Sequence, residues 1–241
     1  MKRFSLLRRA CAVLLFAAVC LFAVGCEKTD TDGGQTDQTD AGVPVEDPVL
    51  KVDDDLVAFT TVTSTTGDLD AITIEDSETH IRYTRAPMCY EPVTLATGYG
   101  QWDDLILYRI ENGDESQYLS LEYTGMGDLF CTEDALLPDP TSTTFDKALI
   151  CRQDAVTIAE GEITDGALLA ELIDRFLHGT PVTLQEDGQN NRRLKFTSAA
   201  CPGVYYTLRY CEDSAGNAYL HDPSQNRTVE IGDLLDGYIT S

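Results

Sequence analysis

Between residues 56 and 231 the chain is a succession of short runs rich in β-branched and aromatic residues, each closed by turn-forming residues. Such segments cannot build a helical bundle. On an extended segment successive side chains point to opposite faces, so a short run buries one face only by pairing into a sheet. The first runs lie at 56–63, 71–75, 80–84, 93–97, 105–111 and 117–123, with "ENGDES" at 111–116 as the clearest turn. Their spacing predicts an antiparallel meander or sandwich over residues 50–135. Two prolines and a Ser/Thr run in "LLPDPTSTTFDK", residues 136–147, mark the best internal boundary.

A second unit is expected over 146–241, with strands near 148–152 and 155–158, then 181–185, 193–197, 204–211, 218–221 and 228–231. Between them "TDGALLAELIDRFLHG", residues 164–179, is the one persuasive helix. Leu168, Leu169, Leu172, Ile173, Phe176 and Leu177 recur at helical spacing. Thr164 or Asp165 suits the N-cap, and Gly179 the end. Glu171 and Arg175 are placed to pair four residues apart on the opposite face. The apolar stripe predicts packing against a sheet. The fold class expected is therefore α+β and β-rich, with antiparallel sheets and one main helix, about 165–178, on the C-terminal sheet. The two units either stand apart or pack as one domain.

The hairpin "RRLKFTSAACPGVYYTLRYC", residues 192–211, permits a closer reading. If Leu194, Phe196, Val204, Tyr206, Leu208 and Tyr210 face the core, then Arg193, Lys195, Tyr205 and Arg209 share the other face. This is the one basic, aromatic patch that can be assembled in an otherwise acidic chain. It is a candidate site for a carboxylate or a glycan, set against a solvated sheet face with Lys and Arg stems lying over tyrosines.

The N-terminus is of a different kind. Lys2, Arg3, Arg8 and Arg9 precede sixteen uncharged residues, Ala10 to Gly25, which is the pattern of an export signal. The run is short of the roughly 20 apolar residues a spanning helix needs. Ala23-Val24-Gly25-Cys26 resembles the lipobox of bacterial lipoproteins, with Ala23 in place of the usual Leu. Cys20 is a poorer candidate because the bulky Val19 precedes it. The resemblance implies that the chain is cut before Cys26, whose thiol carries a diacylglycerol. Two acyl chains, at about 0.8 kcal/mol per buried methylene, are enough to hold a soluble region on a membrane. The polar, acidic tract 26–49 that follows is expected to be a flexible tether; its Asp30-Thr31-Asp32-Gly33 lacks the ligand spacing of a calcium loop.

Removing residues 1–25 takes away four basic residues and no acidic ones, moving the net charge from −24 to −28. Such a surface excludes nucleic acid as a partner and leaves anchoring to the lipid on Cys26. Five cysteines remain: Cys89, Cys131, Cys151, Cys201 and Cys211. An odd number in an exported region implies at least one free thiol or an intermolecular bridge. No Cys-x-x-Cys or Cys/His spacing suggests a metal site. Cys201 and Cys211 are too far apart along their hairpin to be bridged.

No catalytic motif emerges. Gly-x-Ser-x-Gly, Ser-x-x-Lys, His-Glu-x-x-His, phosphate-loop and dinucleotide patterns are all missing, so neither a metal nor a cofactor is expected. His80, His178 and His221 each have an ordinary structural reading. With 41 acidic residues, carboxylate pairs are too abundant to inform. The reading is a lipid-anchored, extracytoplasmic binding or sensing module at the cell envelope that meets an unknown envelope ligand or protein. The alternatives are an envelope hydrolase using a carboxylate pair, and a structural or regulatory partner of another envelope protein that docks through sheet edges or the Arg193 face.

Overall fold

A computed structural model describes residues 50–63, 72–121, 128–152, 159–183 and 189–239, within a compact unit spanning Asp47–Ser241. Cys26, the tether and the strand expected at 155–158 lie outside the described residues. The strands are β1 Val52–Thr63, β2 Thr73–Asp76, β3 Arg82–Arg85, β4 Tyr90–Pro92, β5 Leu95–Trp102, β6 Leu105–Ile110, β7 Tyr118–Leu121, β8 Asp128–Cys131, β9 Lys147–Arg152, β10 Ala159–Ile163, β11 Gln189–Thr197, β12 Val204–Glu212, β13 Ala218–Asp222 and β14 Arg227–Glu230. Among the described residues there is one helix, α1, over Gly166–His178. The fold class is α+β and β-rich.

The first seven barrel-forming strands close on themselves in the order β1-β2-β3-β8-β7-β6-β5, with β5 returning to β1. The antiparallel pairing of consecutive strands expected of a meander is present in β1-β2-β3 and β5-β6-β7-β8, but the sheet closes into a barrel and does not form a sandwich. The closing pair, β1 with β5, is parallel, whereas the other neighbours in the barrel run antiparallel. Closure removes both edges of the sheet. Phe59, Ile74, Tyr83, Leu107, Leu119, Leu121 and Phe130 fill the interior. Gly100 makes room for one of them: a Cβ there would sit 2.3 Å from the Phe59 ring.

The second sheet runs β10-β9-β11-β12-β13-β14, with β4 added beside β12. β12 is paired along one side by β11, and on the other by β4 over its first residues and by β13 over its last. Strand β4 therefore leaves the barrel's part of the sequence and joins the second sheet. At the junction Ala86, Ile110, Tyr118 and Leu129 pack with Val204 of β12 in one apolar cluster. Backbones meet closely there, since a Cβ on Gly203 would lie 2.8 Å from the Gly113 Cα.

Helix α1 covers one face of this sheet. Leu169, Leu172, Ile173 and Phe176 are buried against Ile150, Leu194, Phe196, Leu208, Leu220 and Val229. Asp165 caps the start, its Oδ1 accepting from Ala167 N at 2.9 Å and Leu168 N at 3.3 Å. At the other end the Arg227 guanidinium donates to the carbonyls of Phe176, Leu177 and Gly179 at 2.9–3.0 Å, which satisfies groups that have no partner within the helix. On the outer face His178 Nδ1 lies 3.0 Å from Asp174 Oδ1, and the pair formed is not Glu171 with Arg175.

The two sheet margins are protected differently. Beyond β14, Val182 N donates to Thr228 O at 2.9 Å. The outer strand β10 carries Glu160 and Glu162, which pair inward with Arg192 and Lys147. A charged margin of this kind disfavours strand addition by another chain.

The turn from β12 to β13 is organised by Asp213. Its carboxylate accepts from Asn217 Nδ2 at 2.8 Å, Asn217 N at 2.9 Å, Ala215 N at 2.9 Å and Tyr219 OH at 2.9 Å. These bonds, those from Asn217 foremost, lower its pKa from 3.8 to about 2. Because the folded value lies below the unfolded one, the contribution to stability is full above pH 3.8 and disappears as pH falls through about 2. Asp213→Ala should therefore flatten the acid limb of stability between those values, as measured by urea unfolding at stepped pH. An unchanged slope would show that the turn is held by other groups.

Candidate functional site

The alternation in β11 and β12 places Arg193, Lys195, Tyr205 and Arg209 on the sheet face opposite α1, as does their pairing register: Arg193 lies directly across from Arg209, and Lys195 from Thr207. The face is not an open solvated surface, however. Arg193 is 3%, Lys195 6% and Tyr205 7% exposed, and Arg209 is half-buried. The departure from expectation has a specific cause. Glu91 of β4, itself 6% exposed, is brought opposite Tyr205 by the β4–β12 pairing. Its Oε1 accepts from Arg193 Nη1, and its Oε2 from Lys195 Nζ at 2.8 Å. Lys195 Nζ also lies 5.3 Å from the centre of the Tyr205 ring.

A cavity of about 80 Å³ opens beside this cluster, between the barrel and the sheet. Its polar wall is formed by Glu91, Arg193, Thr207 and Arg209 on the sheet side, and by Arg85 and Asp128 from β3 and β8 on the barrel side. Arg85 and Asp128 form their own ion pair at 2.7 Å. Ala86, Met88, Leu129 and Pro223 supply an apolar wall. The loop between β3 and β4 is pinned in place by Ala86 N donating to Leu129 O at 2.8 Å and Thr207 N to Cys89 O at 2.7 Å.

Thr207 and Arg209 on the wall have unmet capacity. Thr207 is 4% exposed, and its Oγ1 is buried without a hydrogen-bond partner; a buried hydroxyl in that state is costly. Arg209 makes no hydrogen bond or ion pair with the described residues. Burial, and then the nearby Arg193, pull its pKa below the ordinary guanidinium value, opposed by Glu91. Like charges directly across a strand pair are unfavourable. Four cations, Arg85, Arg193, Lys195 and Arg209, thus meet two carboxylates, Glu91 and Asp128. The site is locally positive in a chain of net charge −24.

The other sequence candidates lie elsewhere. His80 sits in a turn with a φ of 59° and pairs with Glu75. His178 ends α1, and His221 bonds Thr228 Oγ1 at 2.9 Å while burial and Arg209 hold its pKa below the usual imidazole value. Cys89, Cys131, Cys151, Cys201 and Cys211 are all unpaired thiols. Burial raises each of their pKa values, that of Cys89 to about 11, so thiolate chemistry is suppressed. Glu91 and Asp128 share the cavity, but each carboxylate is engaged by cationic donors.

Sequence reading missed Glu91, Thr207, Arg85 and Asp128. The local signal at Glu91 was modest: a residue before proline favours an extended backbone, and β4 is only three residues long. Among the described residues no group of three or more His, Cys, Asp or Glu is placed to hold a metal, and no helix is long and apolar enough to cross a membrane. No protein-family model, curated protein or solved structure matches the chain.

Proposed function

We propose that the protein is a lipid-anchored, extracytoplasmic binding module whose recognition site is the cavity between barrel and sheet. One observation carries the reading: a cavity lined by an unpaired arginine and an unsatisfied buried hydroxyl has been left inside an otherwise packed junction. A folded protein keeps such groups at a cost, and a ligand that completes them recovers it. The wall carries donors and fixed charge without an activated nucleophile, which suits binding. Attachment rests on Cys26 and its surrounding "AVGC": the acyl chains hold the module at the membrane, and the acidic tract to residue 49 gives it reach.

The test has two arms. A thermal-shift screen of the full chain against small anions, sugars, divalent metals and peptidoglycan fragments should show stabilisation by an anion that grows with its concentration. Silence across the panel would overturn the binding reading. In cells, Cys26→Ala should release the protein from the membrane fraction and change its electrophoretic mobility. If membrane association and mobility stay as before, the lipid attachment is wrong.

A further inference from the structure

Resting on that reading of the cavity, we infer that its ligand is a small carboxylate with a short apolar body, held at its charged end by Arg209 and Thr207. The donor inventory selects the charged end. Arg209 offers only N–H groups, and the Thr207 hydroxyl has no partner to donate to. A ligand must therefore bring acceptors and negative charge, which a sugar or an amide does not. Arginine binds a carboxylate through two parallel hydrogen bonds, or one of the oxygens turns to a neighbouring hydroxyl. Thr207 and Arg209 are two residues apart on one strand and face the same way, and both line the cavity.

The opposite wall selects the rest of the molecule. Ala86 is 8% and Leu129 2% exposed, and Met88 stands at the mouth, 48% exposed. Sulfate or phosphate would turn some of its oxygens towards this apolar surface and lose their hydration without return. A carboxylate gathers both oxygens at one end and presents methylene or methyl groups at the other. Size sets an upper bound. At about 10–15 Å³ for each water-sized position, a cavity of about 80 Å³ admits a ligand of about five to eight non-hydrogen atoms. Charge favours an anion: Asp128 balances Arg85, Glu91 balances one of Arg193 and Lys195, and Arg209 has no carboxylate of its own, so a monoanion lowers the excess from two positive charges to one.

Butyrate is the natural probe, with butyramide as its uncharged counterpart and sulfate and phosphate as oxyanion controls, all at constant ionic strength. With the full chain, butyrate should raise the melting temperature progressively and butyramide should not. Arg209→Gln should weaken butyrate binding, measured by calorimetry, about tenfold or more, and Thr207→Val severalfold. Neither variant gives up a partner, so both should melt, without ligand, at or above the parent temperature. That separates loss of binding from loss of fold. Equal responses to butyrate and butyramide, or variants that bind butyrate as the parent does, would overturn the inference. Stabilisation by sulfate or phosphate through Arg209 with none by butyrate would also overturn it, while leaving the binding module intact. Silence towards every anion in both assays would remove both.

Discussion

Glu91→Ala is expected to produce the largest loss of stability of any single polar substitution at the site. Glu91 is the carboxylate that accepts from both Arg193 and Lys195, and none of these three side chains is more than 8% exposed. Removing one member of a buried ion pair leaves uncompensated charge in a medium that solvates it poorly, at a cost of about 3–5 kcal/mol. For a unit of this size that corresponds to a fall of about 6–20 °C in melting temperature. The decisive comparison is the pair Glu91→Ala and Glu91→Ala with Lys195→Met. If the loss comes from stranded cations, removing one of them should restore part of the stability. A single variant that melts within about 2 °C of the parent would mean that the two cations find other solvation, and that β4 is held by its backbone pairing with β12 alone.

Phe176→Ala should cost a similar amount by a different route. The ring is 1% exposed at the centre of the cluster between α1 and the sheet, with Arg227 5.7 Å from its centre. Truncation removes buried apolar surface and leaves a void in the cluster that α1 shares with the sheet, whose strands are fixed by their pairing; such changes cost about 3–5 kcal/mol. Arg227 also bonds the carbonyls at the C-terminal end of α1, so the helix end should fray first. Urea unfolding of Phe176→Ala measures the loss, and hydrogen exchange of residues 172–178 locates it. Glu171→Ala, on the exposed face of the same helix, is the control and should remain within about 0.5 kcal/mol. A loss below about 1 kcal/mol for Phe176→Ala would show that the sheet holds together without the helix.

The two residues also separate what is local from what is not. The period of the stripe Leu169, Leu172, Ile173 and Phe176 is a property of thirteen consecutive residues, and the capping of α1 by Asp165 is decided within three. Both were therefore legible. The alternation of Arg193, Lys195, Tyr205 and Arg209 was legible for the same reason, and their shared face survives in the β11–β12 register. Glu91 was not legible as their partner, because 102 residues separate it from Arg193 and nothing in their spacing relates them. β8, at Asp128–Cys131, was missed as a strand; as a four-residue run it presents too few alternations to be told from a turn.

What the chain's own order of residues determined was the kind of element at each place: short strands, one capped amphipathic helix, a hairpin with its cations on one side, and an N-terminal segment resembling a lipoprotein signal. What only the tertiary structure decided was pairing over distance. The parallel contact of β1 with β5 turned an expected meander into a barrel, and the capture of β4 by β12 converted an expected open basic face into a buried ion-pair cluster beside a cavity. The physical reason is common to both. Helical and strand periods are written in neighbours along the chain, whereas strand partners are chosen by the burial and hydrogen bonding that the whole assembly makes available at once.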